Sequence, residues 1–190
     1  MSEGTVLYFG YGTSKVLRMV GAITGAEDLV GKPATLKGYG LFVQRFDQIP
    51  DIVLKTAPAS FSPRQNIADN WPNTFESYVI RHDSESEVVG TLWELTPEQR
   101  ELIKDWELVE FGWYQDTSVE VQTEDGQKVR VQTEILGEGQ EVDRQVDGKD
   151  YNPWLMSPEE MIRIAERSRL EYFKRMSESQ EGSPKPPEIQ

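Results

Sequence analysis

Apolar residues in this chain cluster into short runs separated by glycine- and proline-bearing breaks, without regular strand–helix alternation. Thr5 to Phe9 is apolar, β-branched and aromatic and reads as a buried strand ending in the glycine-rich turn Gly10-Tyr11-Gly12-Thr13-Ser14. Lys15 to Ile23 predicts a short helix that Gly25 ends. Ala34–Tyr39 and Leu41–Phe46 predict two strands, or one strand bent at Gly40. From Asp47 to about Phe75, prolines at 50, 58, 63 and 72 break any period, which predicts a long loop with short extended pieces. Phe75–Ile80 and Val88–Leu95 read as strands, joined by the polar hairpin loop Arg81-His82-Asp83-Ser84-Glu85-Ser86.

The second half is easier to parse. Thr96-Pro97-Glu98-Gln99 carries an N-cap threonine, a proline at the first helical position and a glutamine that closes a capping box. The helix it opens runs to about Trp106 and buries Leu102, Ile103 and Trp106. Tyr114–Thr123 and Gln127–Leu136 predict a hairpin. A three-residue loop, Glu124-Asp125-Gly126, pairs Val121 with Val129 and Val119 with Val131, whereas a two-residue loop mixes the faces. Ser157-Pro158-Glu159-Glu160 repeats the capping grammar and opens a last helix ending near Arg175. Residues 177–190 are Ser-, Glu-, Gly-, Pro- and Lys-rich and predict a disordered tail behind a single domain of residues 1–176. The order of elements predicts an α+β fold with a mixed, mainly antiparallel sheet, not a doubly wound nucleotide-binding one.

Composition narrows the chemistry. The net charge of −13 disfavours nucleic acid and anionic membrane as partners. Cysteine is absent and His82 is the only histidine, so thiol chemistry is excluded and an imidazole mechanism would rest on one loop residue. No metal ligand set or cofactor motif is evident. No apolar run approaches the roughly 20 residues of a membrane span, and the N-terminus lacks signal-peptide character, so a cytoplasmic location is expected. The glycine turn fails as a Walker loop, since Lys15 is preceded by Ser14 and followed by Val16, and as a dinucleotide fingerprint, since the third glycine position, 15, is lysine. By itself a Gly-x-Gly is most often a turn, though its amides can form an anion site.

Three segments in order carry a resemblance. Leu7-Tyr8-Phe9-Gly10-Tyr11-Gly12-Thr13-Ser14 is similar to the Tyr-Phe-x-Tyr-Gly-Ser-Asn signature of the γ-glutamylcyclotransferase-like (AIG2-like, BtrG-like) family. Val89–Glu98 resembles its Gly-x-Leu-Tyr-x-Leu-Thr-Pro-Glu segment, and Leu102–Glu107 its helix end with the catalytic glutamate. Tyr114 matches a tyrosine that follows. Here the family's Ser-Asn is Thr13-Ser14, and its Glu-Gly is Glu107-Leu108.

The resemblance implies a small mixed β-barrel with flanking helices and a cavity at the barrel mouth. It implies Glu107 as catalytic base, with Tyr11, Gly12, Thr13, Ser14 and Tyr114 binding a small γ-glutamyl substrate. The implied reaction is cyclisation of a γ-glutamyl amine, amino acid or peptide to 5-oxoproline and a free amine, with no cofactor. Intramolecular ring closure needs no external nucleophile, and one carboxylate of raised pKa can move both protons. Glu110 is the rival carboxylate, and Asp105 reads as a surface residue. Two other readings stay open: a non-catalytic binding module that keeps the cavity, and hydrolysis or amide transfer by the same glutamate.

Overall fold

The computed structural model describes residues 4–181. Six strands and four helices occur in the order β1 (Val6–Gly10), α1 (Leu17–Thr24), β2 (Val30–Arg45), α2 (Pro63–Asn70), β3 (Glu76–Leu95), α3 (Pro97–Trp106), β4 (Tyr114–Thr123), β5 (Lys128–Leu136), β6 (Arg144–Val146) and α4 (Pro158–Glu181). Neighbouring strands run β3-β1-β5-β4-β2, and β2 pairs back onto β3, so five strands close a barrel. Among the described residues only β1 and β5 pair in parallel; β6 adds to β2 at Leu41–Val43. The expected mixed, mainly antiparallel barrel with flanking helices is what the chain forms.

Strand alternation divides the apolar residues into two cores. Phe9, Leu36, Ile80, Val88, Leu92, Val121 and Val131 come from all five barrel strands and fill the barrel. Their sequence neighbours Tyr8, Val79 and Trp93 face outward, where Met19, Val20, Ile23, Ile103 and Ile164 of α1, α3 and α4 cover them. Both faces of the wall are therefore buried over much of the sheet. This arrangement decides where the site can lie, because the barrel itself has no room.

The hairpin forms in the expected register, with Val121 opposite Val129, Val119 opposite Val131, and Gly126 in the left-handed region at φ 84°. Helix α3 begins as read: the Thr96 side chain accepts the Gln99 amide at 3.2 Å, and the Gln99 side chain accepts the Thr96 amide at 2.9 Å. A ten-residue helix is marginal by propensity alone. Docking of Leu102 and Ile103, both buried, contributes about 1.5–3 kcal/mol each. The cap adds about 1 kcal/mol and fixes where the helix starts.

Other expectations need correction. Residues 47–75 are not loop throughout: Pro63–Asn70 is helical, with Ser62 accepting the Gln65 amide at 3.1 Å. The segment from Glu76 to Leu95 is one strand of 20 residues instead of two joined by a hairpin loop. Its polar stretch survives as strand because β2 runs antiparallel to it, with His82 opposite Tyr39. The register shifts between Lys37 and Tyr39, where residues 83–86 bulge opposite Gly38 at φ 80°. β2 is a single strand, the second of the two alternatives read for residues 34–46. Asp105 is mostly covered and pairs with Arg175 of α4 rather than facing solvent. Helix α4 continues to Glu181, so residues 177–181 of the expected tail are helical. The rest of that tail, 182–190, lies outside the described residues.

Replacing Thr96 with alanine should lower stability by about 1 kcal/mol in urea denaturation without changing the fold. An unchanged midpoint would mean that the cap does not anchor α3.

Candidate active site

Glu107 is placed by the way α3 stops. Its amide closes the last turn onto Ile103 O at 2.9 Å, and Leu108 then enters the left-handed region at φ 51°, ψ 40°. Such a backbone costs a branched residue roughly 1–2 kcal/mol. Burial of the Leu108 side chain, 5% exposed, offsets a cost of that size. The reversal continues through a short 3-10 turn, Val109–Phe111, and both Phe111 and Trp113 donate their amides to Leu108 O, at 3.1 and 3.2 Å. As a result the half-buried Glu107 lines a cleft, and Leu108 lines that cleft too.

The cleft has about 940 Å³ of space free of protein atoms, open solvent at its mouth included. It lies at the barrel rim, where the outer wall meets α2 and α4, and not inside the barrel. Tyr8, Glu134 and Tyr114 from the strands line its floor, with the glycine turn at one side. Asn66, Asn70 and Arg167 from the two helices form its outer wall, and Arg167 hydrogen-bonds Asn70 there.

The turn itself is a 3-10 helix, Gly12–Lys15, that starts directly after β1. Gly12 adopts φ 57°, and a Cβ on it would meet the Tyr78 ring carbons at 3.2 Å, so glycine is needed on both counts. Two of its amides are already engaged: Gly12 N–H donates to the Tyr151 hydroxyl at 3.2 Å, and Ser14 N–H to Tyr11 O at 3.1 Å. Tyr151 in turn donates to Val89 O at 2.7 Å, which fixes the turn to β3.

The sequence-predicted residues gather around this cleft with differing roles. Tyr11, Gly12, Thr13, Glu107 and Tyr114 line it. Ser14 is buried beneath, and its hydroxyl donates to the Glu107 carboxyl at 3.4 Å, so it contacts the glutamate instead of the open space. The hydroxyls of Tyr11 and Tyr114 donate to the carbonyls of Glu134 and Tyr78, at 2.9 and 2.7 Å, leaving their rings as walls. The rival Glu110 is exposed and does not line the cleft.

Sequence reasoning missed a second carboxylate. Glu134 of β5 is 1% exposed, pairs with Arg100 of α3, and accepts the Tyr8 hydroxyl at 3.0 Å. Arg100, equally buried, also reaches Asp116 at 2.8 Å and Gln132 at 3.0 Å. Burial pushes the Glu107 carboxyl from its ordinary 4.5 up to about 8; the neighbouring Glu134 adds to this, while Ser14 and Arg100 oppose it. The carbonyl end of α3 disfavours a negative charge at the same place. Burial raises Glu134 as well, with Arg100 pulling it back. Since Arg100 and Tyr8 donate to its two oxygens, Glu134 is the member that carries the charge. Burial raises the phenols of Tyr8, Tyr11 and Tyr114 well above the usual value, so all three stay neutral. Among the described residues no cluster of three or more His, Asp or Glu could hold a metal ion, and no helix is long and apolar enough to cross a membrane.

Comparison with known proteins agrees with the geometry. The profile of the AIG2-like family matches residues 87–167, which include α3, Glu107, Tyr114 and Glu134 but not the glycine turn. Over that segment the chain is similar to the AIG2-like family. An uncharacterized human protein superposes at a TM-score of 0.56 with 16% identity, covering 99% of this chain and 92% of its own. A γ-glutamyl cyclotransferase superposes equally well at 15% identity, covering 97% and 90%. At such identities the likeness is one of fold. No curated protein matches this chain by sequence.

A carboxyl whose pKa is raised by folding makes stability fall with pH. Between about 4.5 and 8 the folded protein keeps a proton on Glu107 that the unfolded chain has lost. Glu107→Gln should therefore gain in thermal midpoint over wild type as pH rises from 5 to 8. A difference independent of pH would show that Glu107 titrates normally.

Proposed function

We propose that this protein is a γ-glutamyl cyclotransferase, converting a small γ-glutamyl amine, amino acid or peptide to 5-oxoproline and a free amine. The observation that carries the proposal is the Glu107 carboxyl, lifted to about 8 in a cleft beside the glycine turn. A group titrating there can hold a proton at neutral pH and exchange it with an amine, as acid–base catalysis requires.

In this reading the substrate's α-nitrogen lies at Glu107 and its γ-carbonyl faces the turn, with Thr13 offering the donors that Gly12 and Ser14 have already committed. Glu107, once ionised, takes a proton from the α-ammonium, and the lone pair this frees attacks the γ-carbonyl carbon and closes a five-membered ring. Glu107 passes that proton to the leaving nitrogen and takes up the second proton of the attacking nitrogen, and the bond between carbon and the leaving nitrogen breaks to release the amine. Both reacting groups belong to one molecule, so the cleft contributes mainly by holding a folded conformer. Tyr11, Gly12 and Tyr114 shape the wall against which it folds. Ser14 holds the glutamate in place, standing where the family signature has asparagine.

Release of 5-oxoproline from a panel of γ-glutamyl amino acids, peptides and amines tests the proposal. Glu107→Gln should lower kcat/KM by about 10²–10⁴, whereas Glu110→Gln, on the exposed side of the turn, should leave it unchanged. Absence of turnover on every member, with the same compounds still binding, would favour a binding module instead.

A further inference from the structure

We propose that Arg167 selects the leaving group: its guanidinium receives a carboxylate there, so the substrates are γ-glutamyl amino acids or peptides and not γ-glutamyl amines. This rests on the cyclotransferase reading and narrows it to one substrate class.

The charges that line the cleft are one-sided. Glu76, Glu107, Glu134 and Glu171 are acidic, and among the described residues Arg167 is the one cation in the lining. Arg100 is committed to Glu134 and Asp116 and does not line the cleft. Glu76 is committed as well, to Arg144 at 2.9 and 3.2 Å. A carboxylate entering with a substrate therefore finds opposite charge at one side chain of the lining, on the outer wall.

Arg167 is prepared for an external partner. The chain has 33 acidic residues against 20 basic ones, yet among the described residues Arg167 has no ion-pair partner. Glu171, one turn further along α4, does not bridge to it. Its contact is an Nη2–H donated from α4 to the side-chain oxygen of Asn70 on α2. The Asn70 amide nitrogen is itself fixed, donating to Asn66 O at 2.8 Å. The guanidinium is thus tethered by a neutral group, with its charge uncompensated and its remaining N–H donors uncommitted. A tether of this kind removes part of the side-chain entropy that binding would otherwise cost. It leaves the rest of the planar fork for a carboxylate.

The chemistry puts a carboxylate on that side. In a γ-glutamyl amino acid the α-carboxylate shares a carbon with the α-nitrogen and stays with it at Glu107. The second carboxylate belongs to the leaving residue, one carbon away from the leaving nitrogen. With Glu107 at one wall and α2 and α4 forming the other, the leaving half extends towards the helices. Trp71, Phe75, Trp106 and Ile164 line the cleft too and offer apolar surface to a side chain on the same carbon. A simple amine brings the same nitrogen and no anion. A diamine brings a second cation, which Arg167 repels.

γ-Glutamylphenylalanine and γ-glutamylphenethylamine differ only in the leaving-group carboxylate, and 5-oxoproline release from the two is the test. The wild type should show a kcat/KM about 10-fold or more higher for the phenylalanine compound. Arg167→Gln should lower that value until the two compounds are level. Arg167→Lys keeps a charge but not the fork, and should retain part of the preference. Damage to the outer wall alone would instead lower both compounds alike. A wild-type ratio near one, or an equal loss on both in Arg167→Gln, overturns the proposal and leaves the cyclotransferase reading standing. If neither compound is turned over, calorimetric binding of both to wild type and Arg167→Gln makes the same comparison. Tighter binding of the phenylalanine compound that Arg167→Gln abolishes keeps the carboxylate site and ends the cyclotransferase reading. Absence of that preference in binding overturns both. Should Arg167→Gln fail to fold, the wild-type ratio and its reduction in Arg167→Lys decide.

Discussion

The buried pair between Arg100 and Glu134 is the constraint on which the rest of the molecule depends. It joins the first half of α3 to β5, and through Tyr8 it includes β1, the strand that launches the glycine turn. Removing one member of a buried ion pair generally costs about 3–5 kcal/mol, because the other is left charged and dry. That penalty exceeds the contribution of any single cap or apolar contact around α3. The orientation of α3 on the barrel is therefore set by charge as much as by packing, and the orientation of α3 determines where Glu107 ends. The cleft inherits its electrostatics from the same pair, since among the described residues no second cation is buried beside Glu107 to neutralise it.

Local features were the legible part of the fold. The capping box at Thr96 and the three-residue loop at Gly126 are written within four residues each, and both formed in the expected register. Helix α2 uses the same grammar, Ser62-Pro63-Arg64-Gln65, yet it buries little beyond Pro63 and Ile67 and sits among prolines, so no apolar period announced it. The polar stretch at residues 81–86 failed for the opposite reason. It is strand because of its partner β2 and not because of any face of its own, and pairing between distant segments leaves no local mark.

The site divides in the same manner. Glu107 and the glycine turn were found because a resemblance in chain order pointed to them, and Ser14 was found with a different contact from the one expected. Glu134 was invisible. In the hairpin Val131 and Thr133 point into the barrel, so Glu134 reads as an outward residue, and outward ordinarily means wet. Here the outer wall is roofed by α3, and the arginine that compensates the charge lies 34 residues away in sequence. Alternation distinguishes the two sides of a sheet without saying that both are covered.

The filled barrel has one more consequence. Because its interior is packed solid, the cleft draws its parts from two structurally separate sources. The two glutamates belong to β5 and the end of α3, while the far wall is supplied by α2 and α4. Substitutions in the helices can reshape the volume offered to an incoming molecule without disturbing the barrel or the carboxylates. The shape of the cleft and its charged floor are thus set by different segments of the chain.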